Sequence, residues 1–100
     1  MNHLTKESVL GHLRLVQDPE IQYNIVDLGL IYGVKIDNGM VVVDMTLTSP
    51  TCPVGPYIIS EVENAVKKLP GVTGVVINIV WEPLWSPDRM SDEAKVALGV

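Results

Sequence analysis

Apolar residues recur along this chain with two distinct periods, and the switches between them mark the elements. Val9, Leu13 and Val16 fall on one helical face that Leu10 widens, and Thr5 can cap the helix ahead of Glu7 in its opening turn. Asp18-Pro19-Glu20 breaks that pattern, because Pro19 has no amide hydrogen to continue a helical ladder. The stretch from Asn24 to Leu28 reads as a short turn closed by Gly29, the residue best suited to positive φ. From Leu30 to Ile36 the period becomes two, with Tyr32, Val34 and Ile36 expected on one face. Asp37-Asn38-Gly39 is a hairpin signal, and Val41, Val43, Met45 and Leu47 answer on the returning strand. Val42, Asp44, Thr46 and Thr48 fall on the other face, which is expected to be partly wet.

A loop from Thr46 to Pro56 follows, and helical spacing then returns. Ile58, Val62, Ala65, Val66 and Leu69 share a face, with Glu61, Glu63, Lys67 and Lys68 opposite. Pro70-Gly71 ends that helix. Val75, Ile77, Ile79 and Trp81 alternate with Val76, Asn78, Val80 and Glu82 as a third strand. A proline-broken loop from Trp81 to Ser91 leads to a last helix that Ser91, Asp92 and Glu93 can start and Gly99 can stop. The order helix-strand-strand-helix-strand-helix predicts an α+β fold, with a three-stranded mixed sheet covered by helices and one domain over residues 1–100. If the strands flanking the second helix are parallel, their crossover should be right-handed.

A chain of 100 residues with 47% hydrophobic content can bury about 65% of its unfolded surface without disulfide staples. The excess of 12 acidic over 7 basic side chains, net charge -5, opposes nucleic-acid binding. No run of about 18 apolar residues is present, so no membrane span is expected. The opening M-N-H-L-T-K-E-S lacks the basic flank and apolar run of a secretion signal, which points to a cytoplasmic location.

Cys52 is the only cysteine and the principal candidate for chemistry. It sits among Thr48, Pro50, Thr51 and Pro53, in a loop whose prolines restrict the backbone. A helix starting near Val54 would aim its first N–H groups toward the sulfur and favour the thiolate. A buried, inert cysteine is the plain alternative. As a nucleophile the thiolate needs a base, yet His3 lies at the terminus and His12 beside an apolar stripe. As a metal ligand, Cys52 cannot complete a four-ligand site alone, so carboxylates or His of this chain, a partner or a second copy in a homodimer must supply the rest. Asp18, Glu20 and Asp27 are acidic candidates beside turns, where capping is their commoner work. Trp81 and Trp85 bracket the proline-broken loop at the C-terminal end of a strand, where open sheets bind ligands. Trp81 fits packing, and Trp85, outside the strand alternation, fits a partner anchor.

Five ordered blocks carry a resemblance: D-P-E at 18–20, N-I-V-D-L-G-L-I-Y at 24–32, T-L-T-S-P-T-C-P at 46–53, L-P-G-V at 69–72 and W-E-P-L-W-S-P at 81–87. Together they resemble the SufT and PaaD-like family of iron-sulfur cluster biosynthesis proteins, over nearly the whole chain. The resemblance implies a non-enzymatic accessory role in cluster assembly or delivery, with assembly machinery or client metalloproteins as partners. It matches Cys52 to the family's functional cysteine and brings Asp18, Glu20, Asp27, Thr48 and Thr51 near motif positions. Leu84 departs from the family's W-[DE]-P-P-W pattern, in which a second proline is common. No resident cofactor is implied beyond transient iron or an iron-sulfur cluster. A thiol-dependent enzyme and an interaction module with an inert cysteine are the rival readings.

Overall fold

The computed structural model describes residues 4–19, 21–47 and 55–99. His3, Glu20, Thr48, Pro50, Thr51, Cys52 and Pro53 lie outside the described residues. The first helix, α1 (Lys6–Leu13), is capped reciprocally. Thr5 Oγ1 accepts from Ser8 N at 3.1 Å, and Ser8 Oγ accepts from Thr5 N at 2.9 Å. Val9, Leu13 and Val16 are buried as their spacing predicts. Two short strands, β1 (Gln17–Asp18) and β2 (Tyr23–Asn24), then pair antiparallel, and Asp18-Pro19 opens the turn between them. Strands of two residues are too short to show alternation, so the sequence carries no periodic sign of this small ladder.

The main sheet comprises β3 (Ile31–Asp37), β4 (Met40–Met45) and β5 (Gly74–Ile79), in that spatial order. β3 and β4 form the expected hairpin, with Asn38 at φ 49° and Gly39 at φ 86°, the pair of positive angles that a type I′ turn requires. A side chain at position 39 would also stand 2.6 Å from the Gly71 carbonyl oxygen. β5 runs parallel to β4 in a continuous register from Met40↔Gly74 to Met45↔Ile79, so the sheet is mixed and β4 is its central strand.

The crossover is α2 (Gly55–Lys67), and the expected start near Val54 lies outside the described residues. Ile58, Val62, Val66 and Leu69 face the core. α2 packs on β5, while α1 packs on β3 and α2. Val34, Val41, Val43 and Met45 complete the core from the sheet. Beyond β5, a short 3-10 helix (Pro87–Arg89) precedes α3 (Asp92–Leu98). Ser91 Oγ caps α3 by accepting from Ala94 N at 3.1 Å, and Gly99 ends it at φ 75°.

Three expectations require correction. Tyr32 does not share a regular alternation with Val34 and Ile36, because Ile31 pairs with Met45 while Gly33 pairs with Asp44, leaving Tyr32 as the extra residue of a bulge. Thr46, expected on the wet face, is fully buried. Its amide bonds to Leu30 O just past the end of β4, with the chain at Val80 bonded to Met45 on the other flank. Trp81 lies beyond β5, which stops at Ile79 because its partner β4 stops at Met45.

Candidate functional site

Since β4 and β5 are parallel and β3 is antiparallel to them, Met45, Ile79 and Ile31 meet at one end of the sheet. Backbone pairing continues past that end: Thr46 N donates to Leu30 O and Val80 N to Met45 O, each at 2.8 Å. The chain leaves β4 through buried Leu47 and re-enters the described structure at buried Gly55. These two residues touch. Leu47 Cδ1 lies 2.9 Å from where a Cβ on Gly55 would stand, so a larger residue at 55 has to push the leucine tip aside. Leu47 and Gly55, the described residues on either side of 48–54, thus mark one place, the exit of the central strand and the start of α2. The first turn of α2, as described from Gly55, carries no acidic side chain to offset the partial positive charge of a helix start.

The turn after β2 lies at the same end. Asn24 closes it through its side chain, donating from Nδ2 to Asp27 Oδ2 at 2.7 Å and accepting from Asp27 N at 2.9 Å. Leu28 N donates to Asn24 O, and Leu30 N to Ile25 O, both at 3.1 Å. Gly29 finishes the turn at φ 81°, and any Cβ there would collide with the Arg89 backbone. The short turn expected over Asn24 to Leu28 is thus present, with its glycine doubly required.

Across this turn folds the loop that follows β5. Trp85 Nε1 donates to Leu28 O at 2.6 Å, Tyr32 Oη donates to Pro83 O at 2.8 Å, and Ser91 N donates to Asp27 O at 2.7 Å. The Glu82-Pro83 peptide is cis. The Arg89 guanidinium stands 5.0 Å from the centroid of the Tyr32 ring, a cation–π distance. Between loop and sheet lies an open groove of about 570 Å³, with Asp44 and Ile31 on its sheet side and Tyr32, Glu82, Pro83 and Arg89 around it. Asn78 Nδ2 holds Asp44 Oδ1 at 3.1 Å across the β4–β5 pair.

Two of the candidate acids, Asp18 and Asp27, serve turns. Asp18 is fully buried, and its Oδ1 accepts from Ile21 N at 3.2 Å. Asp27 is half-buried and held by Asn24. Trp81 and Trp85 are both half-buried against the core, and Trp85 spends its N–H within the fold. Leu84, between them in sequence, is 63% exposed. His12 lies elsewhere, in a groove with Leu15 and Val16 that runs along Glu61 to Lys68 of the α2 segment, about 9–20 Å along the helix from Gly55. Among the described residues no three His, Cys, Asp or Glu side chains converge as a metal site. Tyr32, Asp44 and Arg89 were not singled out by sequence reasoning. The sign available was Asp44, a lone acid in an otherwise apolar strand.

The model of the iron-sulfur cluster assembly protein family matches residues 6–77. The chain belongs to that family. It is 46% identical to the Fe-S protein maturation auxiliary factor YitW of Bacillus subtilis, over 100% of this chain and 99% of that protein. It is 49% identical to the Fe-S protein maturation auxiliary factor SufT of Staphylococcus aureus, over 86% of this chain and 99% of the relative. An iron-sulfur cluster carrier protein of Synechocystis is 43% identical over 88% of this chain, which spans only 26% of that longer protein. The crystal structure of a domain of unknown function from Bacillus anthracis superposes with a TM-score of 0.91 at 41% identity, covering 95% of this chain and 92% of that one. That domain shares this α+β fold.

Proposed function

We propose that this protein is a cytoplasmic, non-catalytic accessory factor for maturing iron-sulfur proteins, acting as one domain over residues 1–100 and using Cys52 as the atom that meets the cargo or a sulfur-bearing partner. The observation that carries the reading is its likeness, over the full length of both chains, to a protein named as a maturation auxiliary factor. The geometry where β4 ends and α2 begins supports a specific form of it. Cys52 belongs to a segment bounded by Leu47 and Gly55, next to a helix start without a compensating carboxylate, a setting that favours thiolate over thiol.

Iron-sulfur clusters take four ligands, usually thiolates, and this chain has one cysteine. An exchangeable cluster or iron is therefore cargo held jointly with a partner, in keeping with the carrier named among the relatives. Thr48, Pro50, Thr51 and Pro53 are the sequence neighbours of the thiol in this proposal, with Asp18, Glu20 and Asp27 as its acidic part. The loop from Trp81 to Trp85 is the docking element for the assembly machinery or the client. Trp85 fixes its course through Leu28, and exposed Leu84 gives it an apolar tip. A thiol enzyme is the weaker reading, because His12 opens onto the far stretch of α2 rather than the Gly55 end.

The test is complementation of a strain lacking the gene with wild type or Cys52→Ser, reading the activity of an iron-sulfur client enzyme alongside the level of folded protein. Loss of client activity with normal protein level supports the proposal, and full activity of the serine variant refutes it. Anaerobic reconstitution with iron and sulfide, followed by absorption spectra and native mass, then separates cluster holding from adaptor contact.

A further inference from the structure

We propose that the groove between the end of the sheet and the loop after β5 binds a small zwitterion, an apolar α-amino acid or a short peptide of such residues, with its carboxylate on Arg89 and its ammonium at Asp44 and Glu82. This inference is independent of the role given above to Cys52. The groove holds about 570 Å³, within the range of about 300–1,000 Å³ usual for small-molecule sites.

The charged residues lining it are Asp44, Glu82 and Arg89, and they do not neutralise one another. Among the described residues the only ion pair within 4.0 Å joins Lys67 to Glu63, so the guanidinium stands clear of both carboxylates. Two of the three are engaged elsewhere. Arg89 lies over the Tyr32 ring, 5.0 Å from its centroid, and Asp44 Oδ1 accepts from Asn78 Nδ2 at 3.1 Å. The loop wall is also fixed. Tyr32 Oη donates to Pro83 O at 2.8 Å, Arg89 N donates to Ser86 O at 3.0 Å, and the Arg89 backbone packs against Gly29. Walls set apart in advance reduce the ordering cost of binding.

The mixed charge selects the occupant. An anion drawn to Arg89 alone would stand in the field of two carboxylates, and a cation drawn to those would stand beside the guanidinium. A metal ion lacks ligands, because among the described residues no three His, Cys, Asp or Glu side chains converge. A molecule that carries both signs satisfies both walls through charge-assisted hydrogen bonds. The rest of the lining is Gly29 and the apolar surfaces of Ile31, Tyr32, Val80 and Pro83, which suit an aliphatic side chain and bring no further charge.

Proton–nitrogen correlation spectra of labelled protein test this by titration with L-leucine, the dipeptide Leu-Leu, N-acetyl-leucine and leucinamide. Leucine or the dipeptide should give saturable shifts in the millimolar range, centred on the amides of Tyr32, Asp44, Glu82 and Arg89. The acetylated analogue lacks the ammonium and the amide lacks the carboxylate, so each should bind about tenfold more weakly than leucine. Arg89→Gln and Glu82→Gln, at exposed positions and checked for folding by circular dichroism, should each weaken the parent ligand by a similar factor. Tighter binding of leucine supports the proposal with a free amino acid as the source, and tighter binding of the dipeptide supports it with a short peptide. No saturable shift with either ligand, shifts centred elsewhere, a blocked analogue that binds as well as leucine, or binding indifferent to both substitutions overturns it.

Discussion

Trp85→Phe isolates one atom of the brace that holds the docking loop. Phenylalanine keeps most of the ring packing but removes the indole N–H that donates to Leu28 O at 2.6 Å. Leu28 is itself fully buried, and its carbonyl ends a turn whose other groups are engaged by Asn24, Ile25 and Val26. A carbonyl that loses its donor while shielded from water costs about 1–3 kcal/mol. The bond is only partly buried, so water can replace part of it, and about 1–2 kcal/mol is the expected loss. In a domain of this size that lowers Tm by about 4–15 °C. Urea denaturation followed by circular dichroism at 222 nm measures the loss directly, without the fluorescence change that replacing a tryptophan brings. A loss below about 0.3 kcal/mol, within the usual scatter of surface substitutions, would refute the claim that this bond anchors the loop. At a temperature where the variant stays folded, client maturation should be near normal if the indole only braces. A loss of maturation there would make the ring face itself the docking contact.

Gly29→Ala should be more damaging than its single methyl suggests. It forces a non-glycine residue to φ 81° and drives a Cβ into the Arg89 backbone, so about 2–4 kcal/mol of stability should go, read by the same denaturation. Cys52→Ser should leave the denaturation midpoint within the range of a tolerated substitution and still abolish complementation. Alkylation of Cys52 by iodoacetamide should reach half its limiting rate below the ordinary thiol value of about 8.5 if the start of α2 favours the thiolate. A midpoint at that value or above removes the helix terminus from the mechanism.

The parts of the fold that follow from strong local rules were legible in the sequence. Thr5 and Ser91 cap helices, Asn38-Gly39 turns the hairpin, Ile58, Val62 and Val66 form a core stripe, and Gly99 stops the last helix, all as local chemistry dictates. The family was legible too, because its five blocks occur in order along one short chain. What escaped depends on tertiary context. The bulge at Tyr32 has no local sign, since Ile31, Tyr32 and Gly33 would each suit a regular strand or its end, and only the register with β4 shows the extra residue. Thr46 looked wet because its type and parity said so, yet pairing on both flanks buries it. The groove bordered by Tyr32, Asp44 and Arg89 joins residues far apart in the chain, and no spacing rule connects them.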